Sequence, residues 1–97
     1  MNENVAGFDL AKKSGTILYF WATWCGPCKT VGPIVEELSN KYKNVEWLKV
    51  NAEENAKLAN DCFVMTLPTI IYFKEDGSMK TVYGAKNASQ LVSQLGL

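Results

Sequence analysis

Thr16–Lys29 reads TILYFWATWCGPCK, and the change of pattern within it decides the fold. Its first half, TILYFWA (Thr16–Ala22), is an unbroken apolar, aromatic-rich run, the pattern of a strand buried on both faces. Beyond Cys25 the period switches. Val31, Ile34, Val35 and Leu38 recur at helical spacing with Glu36 and Glu37 turned outward, which predicts a helix over Gly26–Lys41. Pro33 lies inside it and is expected to remove one backbone hydrogen bond and kink the helix. Trp24-Cys25-Gly26-Pro27-Cys28 therefore sits where a buried strand hands over to a long helix.

Outward from this junction the chain alternates. Val45–Asn51 (VEWLKVN) reads as a strand, and Glu54–Asp61 as a short helix with Leu58 and Ala59 inward. Thr69–Lys74 and Met79–Gly84 read as strands joined by a Glu75-Asp76-Gly77 turn short enough for a hairpin. Asn87–Leu95 closes the chain as a helix, with Leu91, Val92 and Leu95 inward and Asn87 or Ser89 as its cap. A short helical piece is predicted near Gly7–Lys13. A strand-helix-strand unit followed by a hairpin and a terminal helix is an α/β arrangement. It implies a right-handed crossover and helices on both faces of a small mixed sheet.

Composition limits what such a unit can do. Ninety-seven residues leave room for one domain, 1–97, and at 47% hydrophobic and 21% charged the chain has the make-up of a folded globular protein. Its basic residues are ten lysines balanced by ten acids, so bulk charge draws it neither to nucleic acid nor to an anionic membrane. Histidine and arginine are absent, which removes Ser-His-Asp triads, Cys-His pairs, imidazole metal ligands and guanidinium forks. The longest apolar run falls far short of the roughly 20 residues that span a bilayer, and the first ten residues lack signal-peptide character. A soluble protein of a reducing compartment, the cytoplasm, is expected, where a close cysteine pair is catalytic or metal-binding rather than structural.

The position of that pair suggests its chemistry. The first turn of a helix carries unpaired N–H groups and partial positive charge, which favour a thiolate over a thiol. Cys25 is the expected nucleophile, and Cys28, three residues on, is within disulfide reach of it. Pro27 suits the first turn, and Gly26 is expected to leave the nucleophile uncovered. The competing reading of a lone C-x-x-C is half a zinc site. Three cysteines and no histidine fall short of the roughly four ligands such a site needs, unless a dimer supplies them.

ATWCGPCK (Ala22–Lys29) after an apolar strand, Pro33 in the helix, Thr-Leu-Pro-Thr (Thr66–Thr69) opening a strand, and then Gly77 and Gly84 together resemble the thioredoxin family, nearly end to end. A depressed thiol pKa and a reducing poise are established traits of that family. The resemblance implies the thioredoxin fold, a central mixed sheet of four or five strands flanked by helices on both faces. It implies that Cys25 attacks a target disulfide, that Cys28 releases the reduced product, and that Pro68 is a cis-proline facing the pair. Leu67 would then pair through its backbone with a bound substrate strand. Trp24, Gly26, Pro27, Thr66, Gly84 and Ala85 would form the docking surface, although Gly84 reads equally as a strand-end turn. No bound cofactor is needed, because sulfur carries both electrons. The implied partners are a thioredoxin reductase and disulfide-containing protein substrates, with the chain itself a monomer. An oxidase or isomerase running the exchange in the other direction, and a non-catalytic thioredoxin-fold binding subunit, stand as alternatives.

The chain departs from the pattern in three places. Thioredoxins carry a buried aspartate where this chain has Tyr19, leaving Lys49 on the neighbouring strand without its usual acidic partner. A tyrosine titrating near 10 is a poor base at neutral pH. Either Tyr19 donates a hydrogen bond in the core while water relays the Cys28 proton, or it fills space. The N-terminus is short, so a first strand is either missing or a stub around Asn4–Ala6. Cys62 is an extra cysteine, read as inert or as regulatory. Trp21 and Trp47 are expected to pack the core.

Overall fold

The computed structural model describes residues 14–97. The helical piece expected at Gly7–Lys13 and the stub strand at Asn4–Ala6 lie outside them. Seven elements follow in order: β1 (Thr16–Trp21), α1 (Gly26–Lys41), β2 (Glu46–Asn51), α2 (Ala56–Asp61), β3 (Thr69–Phe73), β4 (Met79–Tyr83) and α3 (Ala88–Leu95). Each expected strand ends within a residue of its predicted bounds. The short helix begins two residues late, because Asn51 Oδ1 accepts the amides of Glu53 and Glu54 and holds them in a turn. Asn87 is the cap of α3, accepting the Gln90 amide while Gln90 Oε1 accepts the Asn87 amide. Helix α1 runs through Pro33 without interruption.

The four strands stand in the order β2-β1-β3-β4 among the described residues. β1 pairs parallel with β2 through the α1 crossover, and antiparallel with β3, which pairs antiparallel with β4. β1 is thus central, which explains its unbroken apolar sequence: Ile17, Leu18, Tyr19 and Phe20 are all at most 1% exposed. Alternation divides them between two cores. Ile17 and Tyr19 join Val31, Val35, Trp47, Leu91 and Leu95 in one cluster, which brings α1 and α3 onto that face. Leu18 and Phe20 join Leu48, Val50, Leu58, Ala59 and Ile71 beneath α2 on the other. The mixed sheet with helices on both faces is as expected. Trp47 is buried, its Nε1 donating to the Tyr42 carbonyl at 3.0 Å. Trp21 also packs against the α1- and α3-side core as expected, partly buried at its edge. It ends β1 at the sheet margin, where the Lys49 ammonium lies 4.5 Å from its ring centroid.

Candidate active site

The C-terminal end of β1 points the chain into the first turn of α1, and that geometry builds the site. Cys25 is the N-cap of α1, and its Sγ accepts the Cys28 backbone N–H at 3.2 Å. A cap acceptor satisfies an amide that has no intrahelical partner, and the same amide would stabilise a thiolate once the sulfur is reduced. The first turn contains no acidic residue to oppose that charge. Cys25 and Cys28 are joined by a disulfide, with Cα atoms 5.3 Å apart. The pair is held in its oxidised state.

Cys25 is not uncovered by Gly26: it is 3% exposed, packed with Ala22 and Cys28 and against Trp21 and Leu67. The reason is that Cys25 is drawn down over the helix end by its cap bond and its disulfide, while Gly26 and Pro27 stand outside it, exposed. A Cβ on Gly26 would meet no atom within 4 Å, so local crowding does not demand a glycine there.

The Leu67–Pro68 peptide bond is cis. Leu67 packs against the disulfide cluster, Thr66 is exposed beside it, and Thr69 Oγ1 donates to the Thr66 carbonyl at 2.6 Å. Gly84 has φ +79°, a conformation that favours glycine, and its amide donates to the Pro68 carbonyl at 2.9 Å. The strand-end turn is therefore its immediate role, and through it the Gly84-Ala85 segment is tied to the Pro68 loop. Trp24, 68% exposed, borders a groove of about 900 Å³ whose wall includes Thr66 and Leu67. Ala52, Ala56, Val64 and Met65 also line it and were not singled out from the sequence. Met65 at 93% and Phe63 at 81% exposure are apolar residues left in solvent. That mismatch is visible only once burial is known. Cys62 is partly buried against the α2-side core.

Tyr19 faces the other side of the pair. Its hydroxyl donates to the Cys28 carbonyl at 3.2 Å, and burial pushes its pKa up to about 12. A phenol so disposed keeps its proton at neutral pH. The raised value means that the folded state holds that proton more tightly than the unfolded chain does. Its contribution to stability is therefore present below about pH 10 and lost as pH rises from 10 towards 12. Tyr19→Phe should cost about 1 kcal/mol at neutral pH through the lost hydrogen bond and abolish that part of the alkaline destabilisation. Denaturant unfolding of both proteins at neutral and alkaline pH checks it, and identical alkaline profiles would refute it.

A second pocket, of about 510 Å³, opens beside Cys28 and is lined by Tyr19, Trp21, Gly32, Glu36 and Lys49 among others. Lys49 reaches it because β2 pairs with β1 in the register Tyr19–Lys49. Glu36 is exposed, as the helical pattern implied, but it also borders this pocket rather than open solvent alone.

Comparison with known proteins agrees with this geometry. The family model described as thioredoxin matches residues 3–96. The thioredoxin of Staphylococcus aureus strain Mu50 is 40% identical over 92 residues, covering 93% of this chain and 88% of that protein. The crystal structure of Malassezia sympodialis thioredoxin superposes with a TM-score of 0.81 at 31% identity, covering 99% of this chain and 89% of that one. Oxidised mitochondrial thioredoxin 3 from Saccharomyces cerevisiae superposes at 0.77 and 30% identity, covering 92% and 85%. A helix-capping cysteine in a reversible disulfide, set in this fold and matched over nearly its whole length, makes the chain a member of the thioredoxin family and a thiol-disulfide oxidoreductase.

Proposed function

We propose that the chain works in the reducing direction, as a single-domain, monomeric cytoplasmic protein re-reduced by a thioredoxin reductase. The observation that carries the direction is the Gly26-Pro27 pair between the two cysteines, since the residues there tune the reduction potential and Gly-Pro resembles the reducing members of the family. The Cys28 amide donating to Cys25 Sγ at the start of α1 favours Cys25 as the ionised, attacking sulfur. Cys25 thiolate attacks one sulfur of a target disulfide, forming a mixed disulfide and releasing the first target thiolate. Cys28 then attacks Cys25, the Cys25–Cys28 bond forms, and the second target sulfur leaves with its electron pair. Two electrons from the reductase return the pair to the dithiol. Trp24, Gly26, Pro27, Thr66, Gly84 and Ala85 bound the surface on which the target docks, and Leu67 offers its backbone to an extended target segment.

Reduced Cys28→Ser, mixed with a disulfide-bonded peptide, should accumulate a Cys25-linked mixed disulfide that persists at least ~100-fold longer than in the parent protein, because only the second attack is lost. Mass spectrometry of the quenched mixture reads it. An adduct on Cys62, or none, overturns the assignment of roles.

A further inference from the structure

The second attack requires Cys28 to lose a proton, and the family's usual acceptor is replaced by Tyr19. Tyr19 cannot serve, since its hydroxyl is already donating to the Cys28 carbonyl. The pocket beside Cys28 shows what can. Its walls bring together Cys28, Lys29 and Glu36 from α1, Tyr19 from β1 and Lys49 from β2. Thr23 also borders it and donates through Oγ1 to Glu53 Oε1 at 3.3 Å. Among the described residues that line the pocket, Tyr19 holds its proton, Lys29 and Lys49 carry amines, and Glu36 is the one carboxylate side chain.

Helix geometry supports a connection. Cys28, Gly32 and Glu36 are spaced i, i+4, i+8, so they lie along one face of α1, with Glu36 two turns beyond the thiol, roughly 12 Å along the axis. Long helical side chains lean toward the N-terminus, which carries the Glu36 carboxylate back toward Cys28. Between the two stands Gly32, which has no side chain to block the way. The Tyr19 hydroxyl sits 3.5 Å from where a Gly32 Cβ would be. The pocket, of about 510 Å³, is open to solvent and bordered by Thr23, Lys29, Glu36 and Lys49, so water can enter it.

We propose that Glu36 is the proton acceptor for Cys28, reached through solvent in this pocket. In the resolving step the Cys28 S–H bond breaks and its proton passes through water to the Glu36 carboxylate. The sulfur's electron pair forms the Cys25–Cys28 bond, and the target sulfur departs with the pair of the broken mixed disulfide. Lys49, on the opposite wall, favours the developing thiolate by its charge. Glu36 then returns the proton to bulk water.

The test rests on the two-cysteine exchange assigned above and separates the two claims. Reduced protein is mixed with an equimolar aromatic disulfide, and released aromatic thiolate is followed by stopped-flow absorbance. The first phase reads attack by Cys25, the second resolution by Cys28. Glu36→Gln should leave the first phase unchanged and slow the second about tenfold between pH 6 and 7. That is less than the 10²–10⁴ of a base in direct contact, because the proton crosses solvent. The two proteins should converge above about pH 9, where a thiol ionises unaided. Glu36→Asp should restore most of the rate, and Glu37→Gln, on the neighbouring face, should change nothing. A second phase in Glu36→Gln equal to the parent at every pH overturns the proposal and leaves the exchange intact. A parent protein that releases one aromatic thiolate rather than two overturns the exchange itself.

Discussion

Cys25→Ser should reduce the rate at which catalytic amounts of this protein accelerate disulfide reduction by dithiothreitol to the uncatalysed background, a loss of at least ~10³-fold. The size follows from the chemistry. A serine hydroxyl is un-ionised at neutral pH, and it cannot form the mixed disulfide through which the electrons pass. Nothing nearby can substitute. Cys28 is buried in the third position of the helix with its own carbonyl held by Tyr19, and Cys62 is partly buried against the α2-side core. The measurement is the turbidity of a reduced protein substrate over time, with parent, Cys25→Ser and buffer run together. Circular dichroism should show the variant folded, because serine can still cap α1 in place of Cys25. Residual acceleration above background would show a second thiol at work and would end the assignment of Cys25 as nucleophile.

The largest effect on stability is expected at Phe20. It lies in the central strand, is 0% exposed, and packs among Leu18, Leu48, Val50, Leu58, Ala59 and Ile71. Phe20→Ala deletes a ring that β1, β2, β3 and α2 all enclose, so the surrounding side chains cannot collapse into the space without breaking strand register. A cost of about 3–5 kcal/mol follows, combining lost transfer energy with the cavity left behind. Against a typical total of about 5–15 kcal/mol, that is enough to leave a sizeable unfolded fraction on mild heating. Trp24→Ala, at a side chain 68% exposed, should cost less than about 1 kcal/mol in the same urea titration. A Phe20→Ala midpoint close to that of Trp24→Ala would show that the α2-side core is not what holds the sheet.

The secondary structure of this protein is written locally. TILYFWA could only be a strand covered on both faces, and the 3.6-residue spacing of Val31, Val35 and Leu38 could only be the inner face of a helix. Cys25 as a helix-terminal thiol follows from the same junction, since the partial charge of a helix end is set by its own first turn. One reading went astray. Burial of Cys25 depends on what other segments place above it, and a residue's neighbours in sequence do not report that.

Pairing register and strand order supplied what remained. Leu67 reaches Cys25 across more than forty residues of chain because β3 returns antiparallel beside β1. Lys49 meets Tyr19 and Trp21 because β2 lies parallel on its other side. The cis Leu67–Pro68 bond, the Gly84 tie to Pro68 and the pocket that joins Cys28 to Glu36 exist only once these strands are assembled. The amino-acid sequence by itself determined the elements, the apolar faces and the reactive helix end, because each depends on residues within a few positions of one another. The tertiary structure alone decided which groups surround the two sulfurs, because contacts between distant segments follow from sheet topology, and hydrophobic periodicity specifies which face of a strand is buried but not which strand lies next to it.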